Sequence, residues 1–237
     1  MTDHDTVSGF SEAQQAAEAA RLDLRCGIEI NTVGWGEVHI LGYGLRWRDA
    51  AFLAKLEEFR ARRRLRIQRI VEDLQKHGIG ITWEDVQSGA HESLGRPHVA
   101  DALRKKGFVK TRHEAFSRFL VKGKPGWVES LGPSPLEAIS LIRDAGGFCS
   151  LAHPDTFAEK ERLGEWVKAG LEGLEVYYST HTPSDVVRYG DLADRHGLLK
   201  TGGSDYHGPG SGREKSLGVN VPDEEFDRFM ERLSRCS

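Results

Sequence analysis

The stretch SPLEAISLIRDAGGFCSLAHP, residues 134–154, carries one complete helix–strand unit. Ser134, Pro135 and Glu137 stand where a helix places its N-cap, N1 and N3 residues. There a hydroxyl can accept from the N3 N–H, a proline loses nothing by lacking its own N–H, and a carboxylate can answer the N-cap N–H. Gly146-Gly147 stops that helix. Residues 148–152 then form a mostly apolar run of strand length, as in a strand covered on both faces. It ends at His153-Pro154, so a histidine stands at the C-terminal end of a strand.

The same rhythm continues on both sides. Upstream, Ser11 with Gln14 predicts a capping box that opens a helix to about residue 22, followed by a strand near residues 24–30. Residues 37–43 alternate as a half-buried strand, with Val38 and Ile40 on one face and His39 and Leu41 on the other. Downstream, a helix near residues 159–169 closes at Gly170, and residues 174–178 form the next strand. Thr182-Pro183-Ser184-Asp185 opens a helix that ends at Gly197. A strand over residues 198–201 runs into Gly202-Gly203-Ser204-Asp205-Tyr206-His207, and a last helix covers residues 222–234. This alternation predicts an α/β fold with a parallel sheet or a (β/α) barrel.

Residues 46–130 break the rhythm and read as helix throughout. Residues 49–77 form one long amphipathic pattern, with Phe52, Leu56, Phe59, Ile70 and Leu74 on its core stripe and Gly78 as its stop. Arg60, Arg62, Arg63, Arg64, Arg66 and Arg69 lie on the polar side. Shorter helices start at Thr82 with Asp85, at Pro97, and at Thr111 with Glu114. This region holds 19 Lys+Arg against 11 Asp+Glu, a balance of +8, while the rest of the chain holds 14 against 25, or −11. We read it as an all-helical basic insertion, a substrate-side cap, within an α/β unit made of residues 1–45 and 131–237. Its charge suits an anionic substrate, and equally a solvated basic helix.

The whole chain of 237 residues has a net charge of −3 and is 38% hydrophobic, enough for a sizeable core without disulfides. No run approaches the roughly 18 apolar residues of a membrane span. The opening MTDHDTVSGF lacks the basic and apolar regions of a signal peptide. Cys26, Cys149 and Cys236 are scattered with no CxxC pair, which excludes a zinc knuckle and fits a reducing, cytoplasmic compartment.

Chemistry concentrates at the strand ends. Glu29 lies near the end of one strand and His39 on the next; His153 ends a third; Asp205 and His207 form a D-x-H just past another; His4 lies in T-D-H-D. Strand ends of an α/β barrel converge on one mouth. Imidazoles and carboxylates gathered there without thiolates suit Zn, Mn or Fe and a hydrolytic metal centre. His77, His91, His113 and His196 fall in helix or loop patterns and read as solvated. Gly95-Arg96-Pro97-His98 stands at a helix start, where free N–H groups, an Arg fork and a histidine could bind phosphate. A surface Arg96 with a capping His98 is the plainer alternative. Tyr178, Ser179 and His181 follow a strand and are expected on the rim, His181 as a candidate substrate contact.

The motifs T-D-H-D-T, G-I-E-I-N, E-V-H-I-L-G-Y-G, G-R-P-H-V-A, S-L-A-H-P, G-L-E-V-Y-Y and T-G-G-S-D-Y-H-G occur in that order over nearly the whole chain. Together they resemble the PHP (polymerase and histidinol phosphatase) family, in the branch of metal-dependent phosphoesterases that includes 3′,5′-nucleoside bisphosphate phosphatases and a 5′–3′ exoribonuclease of short RNA. The resemblance implies a distorted seven-stranded (β/α) barrel around as many as three divalent ions. By motif, His4 and His207 would ligand one metal. Glu29 would bridge two, one of them shared with Asp205, and His39 and His153 would complete the third site with Glu29. Asp3 or Asp5 could orient the His4 ring from behind. Arg96 and His98 would bind substrate phosphate.

The family opens with a strand bearing His-x-His and an acidic ligand ahead of T-D-H-D. Here Met1 directly precedes Thr2, so roughly 35 residues, about one βαβ unit, and three ligands have no counterpart, and the barrel is expected to lack its first strands. The implied activity is metal-dependent hydrolysis of phosphate esters of small nucleotides, such as 3′,5′-nucleoside bisphosphates, or of short RNA 5′ ends. A catalytically inactive metal- or nucleotide-binding module is the other reading. No polymerase-sized region follows, so no DNA polymerase partner is expected.

Overall fold

The computed structural model describes residues 1–33, 38–88, 94–156, 162–208 and 217–236. The chain divides into two compact units, residues 1–53 with 133–237, and residues 54–132. The first boundary thus falls inside the long helix rather than ahead of it.

The first unit holds a six-stranded sheet with its strands side by side in sequence order. They are β1 Thr2–His4, β2 Gly27–Thr32, β3 Val38–Tyr43, β4 Phe148–Leu151, β5 Leu171–Tyr178 and β6 Leu199–Gly203. β1 pairs with β2, β4 with β5 and β5 with β6 in parallel, but β3 runs antiparallel to both β2 and β4. The all-parallel sheet expected from the alternation therefore does not form. The cause lies in the link between β2 and β3, residues 33–37, which is far too short for a crossover helix and leaves antiparallel pairing as the solution.

The sheet is strongly curled. Five interstrand steps of about 4.8 Å would hold the edges of a flat sheet about 24 Å apart. Yet His4 at the end of β1 and His207 just past β6 have ring centroids 5.7 Å apart.

Helices α1 Phe10–Ala20, α6 Pro135–Asp144, α7 Leu163–Ala169, α8 Pro183–His196 and α9 Asp223–Ser234 complete this unit. Ser134 Oγ accepts from the Glu137 N–H at 3.2 Å while Glu137 Oε2 accepts from the Ser134 N–H at 2.7 Å, the capping box the sequence predicts. Thr182 and Asp185 do the same for α8. The box expected at Ser11 does not form: α1 starts at Phe10, with Gly9 as an N-cap that has no side-chain bond. Phe10 is buried, so apolar packing sets that helix start. The core gathers Ile28, Ile30, Ile40, Phe148 and Leu174 from the sheet with Ile142 of α6. Gly42 lets α6 approach β3, since a Cβ there would stand 2.9 Å from Ile142 Cγ1.

The second unit contains most of α2 Ala50–Lys76, then α3 Trp83–Gln87, α4 Arg96–Lys105, α5 Arg112–Ala115 and a π-helical turn Phe116–Leu120. It has its own core, built on Ile67, Ile70, Leu74, Val99 and Leu103. Part of the basic face of α2 is laced by local ion pairs: Arg60 and Arg64 meet Glu57 at 2.7 and 2.5 Å, and Arg62 meets Glu58. Those arginines match the solvated-helix reading. Among the described residues no helix is long and apolar enough to cross a membrane.

Candidate metal centre

The reversed direction of β3 is what assembles the site. Parallel strands β1, β2, β4, β5 and β6 bring their C-terminal ends to one side of the sheet, and the antiparallel β3 brings its N-terminal end there. His39, its second residue, so joins residues from strand ends. His4 closes β1 and stands in register with Glu29 on β2. His153 follows β4, and Asp205 and His207 follow β6.

The side chains converge on the Glu29 carboxylate. Glu29 Oε1 lies 2.6 Å from His39 Nδ1 and 3.3 Å from His153 Nε2, and those two ring nitrogens are 3.0 Å apart. On the other oxygen, Oε2 lies 3.7 Å from His4 Nε2. The His4 ring then meets His207, and His207 Nδ1 lies 3.3 Å from Asp205 Oδ1. All the predicted ligand residues therefore form one continuous cluster.

The donor set suits a divalent cation. One ligand atom each from His4, Glu29 and His39 lies within 4.8 Å of the others. Neighbouring ligands on bonds of about 2.0–2.2 Å stand about 3.0–3.5 Å apart; the His39–His153 and His153–Glu29 atoms sit at that spacing, 3.0 and 3.3 Å, while His39 Nδ1 is drawn closer to Glu29 Oε1, 2.6 Å, as in a hydrogen bond. Burial pushes the Glu29 carboxyl up, but hydrogen bonding to His153 and His39 and the nearby His4 outweigh it and hold the group well below the usual carboxylate range. For His153, burial pulls downward and Glu29, Glu175 and Asp205 together win, raising it above an ordinary histidine.

Two supporting residues, Glu175 and Asn31, escaped the sequence reading, as did the role of a third, Tyr178. Glu175, buried within β5, accepts the His153 backbone N–H at Oε2, 2.7 Å away. Gly203 makes room for it, since a Cβ there would stand 2.9 Å from Glu175 Oε1. Asn31 links two predicted residues: its amide nitrogen donates to Asp5 Oδ2 at 2.8 Å and lies 3.1 Å from His4 Nδ1. Asp5 thus acts on His4 through Asn31. Tyr178 Oη–H donates to Asp205 Oδ2 at 2.8 Å, so it fixes the carboxylate of a candidate ligand. Only Glu175 carried a usable signal, as a lone acid inside an apolar strand pattern.

Backbone strain concentrates here too. Asp5, His153 and Asp205 adopt positive φ angles of 56°, 24° and 50° without being glycine. Each such residue costs on the order of 1–3 kcal/mol unless its surroundings hold it, and such residues cluster at functional sites.

The remaining predicted residues fall elsewhere. His181 is not on the rim: its side chain is only 2% exposed, its Nδ1–H donates to the Val176 carbonyl at 2.8 Å, and it packs between the rings of Tyr178 and Tyr189. Arg96 and His98 open α4 in the second unit, as the sequence predicts. His98 Nδ1 accepts from the Gly95 N–H at 3.1 Å, which is the capping role, and this leaves Nε2 as its other polar atom. His77 donates to the Asp73 carbonyl at 2.7 Å on an exposed surface. His91 lies outside the described residues.

No protein-family model matches the chain. It is 34% identical over 221 residues to a 3′,5′-nucleoside bisphosphate phosphatase of Chromobacterium violaceum, covering 90% of this chain and 77% of that protein. It is 30% identical over 218 residues to a 5′–3′ exoribonuclease of Haemophilus influenzae, covering 88% of this chain and 78% of that protein. A crystal structure from Bifidobacterium adolescentis, described as a metal-dependent phosphoesterase, superposes with a TM-score of 0.85 at 34% identity, over 100% of this chain and 85% of that one.

Proposed function

This chain belongs to the PHP-type family of metal-dependent phosphoesterases that takes in 3′,5′-nucleoside bisphosphate phosphatases and 5′–3′ exoribonucleases, and from that membership we propose that it hydrolyses phosphate esters of small nucleotides, 3′,5′-nucleoside bisphosphates foremost, or removes mononucleotides from the 5′ ends of short RNA. The observation that carries this reading is the convergence of His4, His39 and His153 on the buried Glu29 carboxylate, a donor set close enough to share a cation.

In the proposal Mn, Zn or Fe is held by His4, Glu29, His39, His153, Asp205 and His207, and the curl of the sheet supports a distorted barrel around them. Bound there, divalent ions supply Lewis-acid stabilisation of phosphate oxygens and a nucleophile at neutral pH. The protein's own part is positioning. Glu29, charged and buried, fixes both ring planes beside it. Glu175 anchors the strained turn at His153, and Tyr178 aims the Asp205 carboxylate. Arg96 and His98 bind a substrate phosphate, the guanidinium edge as a fork and His98 through Nε2.

The test is elemental analysis of the purified protein alongside turnover in Mn²⁺. Divalent metal above background, phosphate release from a nucleoside 3′,5′-bisphosphate or mononucleotide release from 5′-phosphorylated RNA, and loss of both metal and turnover in His153→Ala are expected. Metal binding without turnover of either substrate would return the chain to the reading of a non-catalytic binding module.

A further inference from the structure

Strand β5 carries one residue more than its pairing with β6 uses. The register runs from Glu175 with Thr201 to Tyr177 with Gly202 and Tyr178 with Gly203, so Val176 is passed over. Such a bulge shifts the alternation of side chains. Residues three apart on a regular strand face opposite ways. Glu175 and Tyr178 are three apart, yet their partners Thr201 and Gly203 are two apart and share a face. The glycines of β6 show the same shift. A Cβ at Gly203 would stand 2.9 Å from Glu175 Oε1, and one at the adjacent Gly202 would stand 2.8 Å from Tyr177 Cβ, so Glu175 and Tyr177 lie on opposite faces. The bulge is therefore what lets one strand send Glu175 to the His153 N–H and Tyr178 to Asp205.

His181 closes on that bulge. Its side chain is buried, and its Nδ1–H donates at 2.8 Å to the carbonyl of Val176, the residue passed over. A carbonyl only accepts, so Nδ1 carries the proton. The His181 ring meets Tyr178 edge to face with centroids 5.2 Å apart, and the Tyr178 ring in turn lies 5.8 Å from that of His153. The other nitrogen of His181, Nε2, is buried with no hydrogen-bond partner among the described residues. A buried nitrogen left unpaired costs stability, and an apolar side chain would avoid that cost. Packing alone does not account for a histidine here, whereas the Nδ1–H does. We propose that His181 is a positioning residue of the metal centre: it pins the bulge carbonyl and so keeps the Tyr178 hydroxyl on Asp205. The proposal rests on Asp205 being a metal ligand, as argued above.

The test uses the full chain and reads Mn²⁺ affinity by calorimetry, beside turnover of adenosine 3′,5′-bisphosphate. His181→Leu keeps apolar volume and removes the donor; it should weaken Mn²⁺ binding by about tenfold or more, the usual scale for losing a group that orients a metal ligand. His181→Asn sets an amide N–H where Nδ1–H stands and should stay within about threefold of the parent. His181→Gln carries its amide one methylene too far and should lose as His181→Leu does; it serves where the leucine variant does not fold. Tyr178→Phe alone should match the His181→Leu loss, and adding His181→Leu to it should cost less than about twofold more. A folded His181→Leu with the parent's Mn²⁺ affinity, a His181→Asn as weak as His181→Leu, or losses that multiply in the double variant would each overturn the proposal. A parent that binds Mn²⁺ without hydrolysing the nucleotide overturns the hydrolytic reading alone, and the affinities still decide the role of His181. A parent that binds no Mn²⁺ overturns both.

Discussion

Glu175 sits inside β5 with its carboxylate turned to the His153 backbone. Burial, reinforced by the charges of Glu29 and Asp205, pushes it from its ordinary 4.5 up to about 8, against the pull of the His153 N–H. Between those two pH values the folded, metal-free chain keeps a proton that the unfolded chain has lost, so stability falls as pH rises through the window. His153, raised above its ordinary 6.5, acts with the same sign: its contribution is present below that value and lost as pH rises through the folded one. Glu29 is depressed, so its contribution is full above about 4.5 and flat across the window. The metal-free protein should therefore melt at a lower temperature at pH 8.5 than at pH 5.5, and Glu175→Gln, which keeps an acceptor for the His153 N–H, should flatten that slope. Thermal melts in EDTA check this; an undiminished slope in the variant would assign the effect to other groups. That the candidate ligands would gather was legible because imidazoles and acids at strand ends are rare company. Asn31 was not, because an amide on a strand looks the same whether it orients a histidine or faces water.

At the scale of the element, local chemistry was readable and packing was not. Ser134 with Glu137, Thr182 with Asp185 and Thr82 with Asp85 were each read from residues three apart, and each forms a reciprocal cap. Ser11 with Gln14 satisfied the same pattern and failed, because the buried Phe10 pulled the N-cap two residues earlier, from Ser11 to Gly9. The antiparallel β3 was missed for a different reason: periodicity reports which face of a strand is covered and is silent on its direction, whereas the short link after β2 held the answer. Replacing Ser134 by Ala should cost about 1 kcal/mol, the usual worth of such a cap. Urea unfolding should show that as a lower midpoint with an unchanged slope, and Ser134→Thr should recover most of it. A midpoint shared by the parent and Ser134→Ala would mean that Pro135 and the buried Ile139 hold that helix end unaided.

Over the whole molecule, the charge contrast pointed to a separate basic segment over residues 46–130, whereas the compact units divide between residues 53 and 54, within α2, because one continuous helix runs across that point. The second unit has a core of its own, and Leu74 lies fully buried in it. Leu74→Ala should cost about 2–5 kcal/mol there. Below the melting temperature the variant should hold as much divalent metal as the parent, because every proposed ligand belongs to the first unit; reduced metal content in a folded variant would show that the two cores are energetically coupled. The curl of the sheet has a consequence of another kind. His4 and His207 touch although roughly 200 residues of chain lie between them. A cation gripped by both would turn that contact into a cross-link, closing one large ring of polypeptide. By the loop-closure estimate, a bond around a ring of even 100 residues removes entropy from the open chain worth about 4.7 kcal/mol. Cys26, Cys149 and Cys236 are all free thiols, so coordination by His4 and His207 would supply the long-range cross-link that a disulfide supplies in other folds.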